Sequence, residues 1–120
     1  MAQPPLQTAA RPRADPEMAR VIASAADQVR RCYRAPRVGR AGGSIVTTLR
    51  VNYAPDGTLA ELPRLLGQRG VTEANAYVAQ QLAEAATLAI IRCAPISLPP
   101  ERYSNGWDSF DLTFSPKAVA

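Results

Sequence analysis

Two cysteines are the residues of this chain whose type and placing most directly invite covalent chemistry. Cys32 stands in "VRRCYRAP" and Cys93 in "AIIRCAPISLPP". Each closes an apolar-periodic segment, has arginine close by and is soon followed by proline. If both segments are helices packed on one sheet face, the two thiols can meet. A bridge would then close a loop of about 60 residues and stabilise the fold by roughly 4 kcal/mol. Two free buried thiols fit the same positions, because unpaired cysteine is among the most buried side chains. The positions alone leave both readings open. Two cysteines without histidine or a CxxC pair leave a zinc ion short of ligands, so no metal is expected. A catalytic thiol would want a histidine as its base, and the chain has none.

Other chemistries find little support in the residues. There is no glycine loop shaped to cradle phosphate and no pair of carboxylates at a recognisable spacing. Asp108 and Asp111 fall on opposite faces of a strand pattern and cannot readily share a substrate. The reading is therefore of a protein that is not an enzyme and needs no cofactor. The 120 residues, 47% of them hydrophobic, suffice for one domain with its own core. A net charge of +4 permits an anionic partner. A small basic nucleic-acid-binding module is thus the alternative function, although no RNP, GxxG or helix-turn-helix signature accompanies the charge. The most apolar run, around Leu88–Ile91, is far shorter than the roughly 20 residues that cross a bilayer. The first residues, "MAQPPLQTAARPRADP", lack the charged start and apolar centre of a signal peptide. Export would require a leader or anchor outside this sequence.

The elements that would position these residues follow from periodicity. Residues 1–14, rich in Pro, Ala, Gln and Arg, read as a flexible linker, followed by a folded domain over 15–116 and a tail over 117–120. Asp15 can cap a helix that has Pro16 at its first position and Glu17 in its first turn. Met18, Val21, Ile22, Ala25, Val29, Cys32 and Tyr33 give that helix an apolar face to about Tyr33. "SIVTTLRVNY" alternates as a half-buried strand, "APDG" turns the chain, and "TLAELPRLL" returns as a second strand. Pro63 is expected to end that strand or hold it at a sheet edge. Thr72 opens a long helix with Val78, Leu82, Ala85, Ala86, Ala89, Ile90 and Cys93 on one stripe, and a proline-rich connection leads to the alternating "WDSFDLTF". The order α-β-β-α-β predicts an α+β fold, a three-stranded antiparallel sheet with helices packed on one face.

Such a sheet has two open edges, and Pro63 is expected to obstruct the one on the second strand. The candidate partner-binding segment is therefore the last strand, Trp107, Asp108, Ser109, Phe110, Asp111, Leu112 and Thr113, to which a partner could add a strand through main-chain hydrogen bonds. Asp108 and Asp111 would guard this edge against self-association. The plainer reading has them as solvated residues, with the edge covered by the terminal tail. Trp107 and Tyr103 are either contact aromatics or the closure of one core end. Arg30, Arg31, Arg34, Arg37 and Arg40 form the densest basic cluster. It reads as a patch for an acidic partner or anionic envelope polymer, or as a solvated face that favours a helix C-terminus.

In this order the residues resemble a known family, the TolA C-terminal domains within the wider TonB/TolA C-terminal group. The resemblance runs through "VRRCYRAP", "IVTTLRVNYAPDGTL", "AIIRCAPISLPPERY" and "WDSFDLTFSP", and covers about Ala19 to Pro116. Where the family usually has tryptophan after the first cysteine, this chain has Tyr33. The resemblance implies a disulfide between Cys32 and Cys93 in an oxidising compartment. It also implies a periplasmic interaction domain of a Tol-Pal type envelope system, tethered to the inner membrane and to its partners there through an anchor outside these residues. TolB, Pal or similar envelope proteins are the implied partners, and bacteriocin or filamentous phage proteins exploit such domains. A TonB-like energy transducer is a nearer alternative than nucleic-acid binding.

Overall fold

In a computed structural model, which describes residues 15–120, the chain forms the predicted α+β arrangement. The segment read as a linker, 1–14, lies outside the described residues. Helix α1 (Pro16–Arg30) starts as its sequence dictates, with the Asp15 carboxylate accepting from the Glu17 N–H at 3.0 Å and the Met18 N–H at 3.3 Å. It ends earlier than Tyr33. The Cys32 and Tyr33 amides bond back to Val29 and Arg30, a tightened turn that closes the helix and aims Cys32 sideways.

Strand β1 (Val46–Asn52) is central. It pairs antiparallel with β2 (Arg64–Arg69) on one side and with β3 (Ser109–Phe114) on the other. Helix α2 (Ala76–Cys93) follows β2 through a turn at Glu73–Asn75, where Asn75 accepts from the Thr72 N–H at 2.7 Å and donates to the Gly70 carbonyl at 3.0 Å. Thr47, Leu49, Val51 and Tyr53 of the first strand and its flank, with Phe110, Leu112 and Phe114 of β3, are buried on one sheet face. Val21, Ala25, Ala26 and Val29 from α1 meet them there, as do Ala86, Ala89 and Ile90 from α2. Alanine along α2 lets this helix approach closely, and Leu82 with Ala79 and Ile45 extends the core toward the far end.

Cys32 and Cys93 form a disulfide, with a Cα–Cα distance of 5.8 Å, so the helix ends do meet. Gln28 reinforces the same junction: its amide donates to the Ser97 carbonyl and its carbonyl accepts from the Ser97 N–H, both at 2.8 Å. The "PDG" turn is fixed by more than its own geometry. Gly57 sits at φ +87°, and a Cβ there would lie 2.0 Å from the Ile96 carbonyl oxygen, whose own residue donates its N–H to Gly57.

The second strand departs from expectation. Thr58–Pro63 does not belong to it: Leu59 makes an isolated bridge to Tyr53, and the ladder begins only at Arg64, just past Pro63. Proline lacks the N–H that a ladder needs, so the chain places it before the paired segment instead of within it. The edge of β2 is consequently free of proline, contrary to the expected obstruction.

Two tests follow from the core. Replacing Cys32 and Cys93 together by serine should lower unfolding free energy by about 4 kcal/mol, measured by denaturant melts against the oxidised protein. Tyr53 is buried and stacked on Phe110 at 6.0 Å, and its hydroxyl has no hydrogen-bond partner among the described residues. Burial pushes its pKa up to about 12. Tyr53→Phe removes an unsatisfied polar group at little change of shape, and should raise stability by roughly 1 kcal/mol in the same melts.

Candidate functional site

The edge of β3 can be built from its register. The Tyr53 N–H bonds the Asp108 carbonyl at 3.0 Å, and along the antiparallel ladder the bonded pairs then recur at every second residue. Phe110, Leu112 and Phe114 therefore turn their main-chain groups toward β1. Ser109, Asp111 and Thr113 turn theirs outward. The chain after β3 folds back, and Thr113 and Ala120 exchange both bonds, at 2.7 and 2.8 Å, with Val119 bridged to Phe114. The tail thus covers the Thr113 end of this edge. The outward groups of Ser109 and Asp111 stay open.

Beside that open half lies a groove of about 720 Å³. Met18, Ala19 and Ile22 of α1 form its apolar wall, and Ser109, Phe110 and Asp111 its floor. A strand laid along β3 would point alternate side chains into it. The irregular turn Tyr103–Trp107, with Asn105 at φ +56°, closes one end.

The proposed partner residues do not act as one surface. Trp107 is 1% exposed and donates its indole N–H to the Pro99 carbonyl at 2.6 Å. It closes the core, packed edge-on against Tyr103 at 4.7 Å, and offers no contact to a partner. Phe110 and Leu112 are likewise buried. Asp108 accepts from the Gly106 N–H at 3.0 Å and shapes the turn before the strand. Asp111 takes a forked ion pair from Arg50, its register neighbour on β1, at 2.7 and 3.4 Å. Hydrogen bonding and charge from Asp111 push the Arg50 pKa up. This carboxylate is drawn across the sheet and does not stand guard outside it. What the segment offers is main chain at Ser109 and Asp111.

The basic cluster is looser than its sequence density. Arg30 is tied to Asp27 at 2.9 Å one helical turn away, and Arg31, Arg34, Arg37 and Arg40 are exposed, with no carboxylate within 4 Å among the described residues. Arg34 borders a hollow of about 240 Å³ beside Cys32, together with Glu84 and Arg92. Cys32 and Cys93, being bridged, offer no thiol. Among the described residues no cluster of three metal-ligating side chains occurs, and no helix is long and apolar enough to cross a membrane.

The other edge was not foreseen as a site. Strand β2 is exposed along nearly its whole length, including Leu65 at 49% and Leu66 at 43%. Its register slips between Thr48 and Leu49, where Leu65 and Leu66 together oppose one residue. Leu65 borders a shallow groove of about 440 Å³ against Ala83, Thr87 and Leu88 of α2. The run "LPRLLGQR" carried the signal, two leucines in a strand too polar elsewhere to be central, with a third just ahead of Pro63.

Comparison of the chain with protein-family models, with curated proteins and with solved structures returns no match.

Arg102, at the end of the turn Pro100–Arg102, is tied to the start of α1, pairing with the Asp15 carboxylate and with Glu17 at 3.1 Å. The Met18 N–H and the Arg102 guanidinium together hold the Asp15 carboxyl below the usual carboxylate range, against a smaller opposing effect of desolvation than the Met18 bond exerts. A lowered folded pKa contributes stability that is full above the unfolded value and is lost as pH falls through the folded one. Stability should therefore drop as pH falls below about 4, and Asp15→Ala should be less stable at neutral pH with a shallower acid drop. Melts at a series of pH values read both effects.

Proposed function

We propose that this chain is a protein-interaction domain that accepts an extended segment of a partner along β3. The observation that carries this reading is the open half-edge at Ser109 and Asp111, set beside the apolar groove of Met18, Ala19 and Ile22. A peptide added there gains main-chain bonds from the edge and burial for every second side chain from the groove, a mode in which affinity and specificity have separate sources.

The surrounding biology rests on the sequence resemblance to TolA C-terminal domains. On that reading the domain works in the periplasm, tethered to the inner membrane through a segment outside these residues, and links it to TolB, Pal or similar envelope proteins. A disulfide is compatible with such an oxidising compartment. TonB-like transduction to an outer-membrane receptor lies in the same mechanical class, so partner choice separates the two.

The test compares Asp111→Pro with Asp111→Ala in pull-downs with TolB, Pal and a receptor peptide. Both variants lose the Arg50 ion pair, but only proline removes the outward N–H while leaving the bonds to β1 in place. Binding by the alanine variant with loss of roughly ten-fold or more in the proline variant is the expected result. Equal binding by both would sink the proposal. Thr113 is a poor position for this test, because its N–H already serves Ala120.

A further inference from the structure

The bulge in β2 has a consequence for charge. Arg64 and Arg69 are five residues apart, and in a regular strand residues at odd spacing lie on opposite faces. The extra residue at Leu65–Leu66 resets the alternation. Arg64 stands opposite Arg50 and Arg69 opposite Val46, two β1 positions four apart and therefore on one face. Thr47, Leu49 and Val51 between and beyond them face the helices, so Arg64 and Arg69 share the face away from the core. Arg50 on that face is already paired with Asp111, whereas Arg64 and Arg69 are exposed and have no carboxylate within 4 Å among the described residues.

The same edge has the other features of a docking strand. Arg64, Gly67 and Arg69 turn toward their β1 partners, which leaves the main chain of Gln68 and of the bulge directed outward. On the helix side, the Leu65–Leu88 groove would receive an apolar side chain. A second copy is disfavoured as its occupant. Antiparallel pairing of two β2 strands about their centre sets Arg64 of one copy against Arg69 of the other at both ends, and like charges placed directly opposite destabilise a strand pair.

We infer that β2 is a second strand-addition edge, taking an extended protein segment whose two carboxylates, four residues apart on one face, meet Arg64 and Arg69. It goes beyond the β3 reading and stands on different residues. With both edges in use the domain holds two partners at once, one on either side of β1.

The test is a titration of isotope-labelled protein followed through its backbone amide signals in NMR. The probe is a synthetic peptide of alternating threonine and valine with two aspartates four residues apart, and its control carries lysines in their place. The expected result is movement of the Leu66 and Gln68 signals with the aspartate peptide, and binding roughly ten-fold weaker for the lysine control. The paired substitution Arg64→Glu and Arg69→Glu, on exposed side chains, should reverse that preference, and Arg64→Gln with Arg69→Gln should abolish it. Absence of any shift overturns the inference, as does equal binding of both peptides, or movement confined to Ser109 and Asp111. Shifts at β2 that depend on protein concentration alone would assign the edge to a second copy, and tighter binding of a thymidine oligonucleotide at the same amides would make it a general polyanion site. Either result also overturns it. The two edges are read in one spectrum, so failure at β2 is distinguishable from failure at β3.

Discussion

The central strand has two jobs that cannot be separated. Through its main chain β1 bonds β2 and β3 at once, and through Thr47, Leu49 and Val51 it lays down the floor on which both helices pack. A sheet of three strands has one interior strand and two edges, so the register of β1 decides which groups of its neighbours point outward. Everything that makes the surface interesting is downstream of that alternation. The open amides at Ser109 and Asp111, the closed one at Thr113, and the common face of Arg64 and Arg69 all follow from it.

Covering only one face of such a sheet leaves the helix layer to be held by its own contacts, and the chain ties that layer together. Helices α1 and α2 each contribute a narrow apolar stripe rich in alanine, which brings them near the sheet but limits the area each can bury. The disulfide joins the two helix ends directly, and the paired bonds of Gln28 tie the end of α1 to Ser97 just past α2. Beside that junction Tyr33 packs edge-on against Phe114 and donates its hydroxyl to the Ser115 carbonyl at 2.8 Å, which ties the end of α1 to the end of β3 as well.

The long-period signals were legible in the residues. Alternation in "SIVTTLRVNY" and "SFDLTF" gave the two core strands, and spacing of three and four gave both helices. The cysteine positions allowed the bridge without deciding it, since burial as free thiols satisfies the same pattern. What stayed hidden depends on pairing between distant residues. Trp107 reads as a possible contact aromatic until Pro99 is seen to take its N–H. Asp111 reads as a gatekeeper until Arg50 is found opposite. The β2 bulge is a property of two strands together, and no count along one of them places Arg64 and Arg69 on the same side. Pro63 was informative about where pairing stops, but its position in the ladder had to come from the register.

The return of the tail onto β3 bears on how the domain is handled and joined to other chains. Val119 lies beside Phe114 and Ala120 beside Thr113, so the tail runs antiparallel to the strand. Residues continued past Ala120 on the same course come to lie opposite Leu112 and then Asp111. A purification handle or fused domain attached there would zip along the edge it was meant to leave accessible.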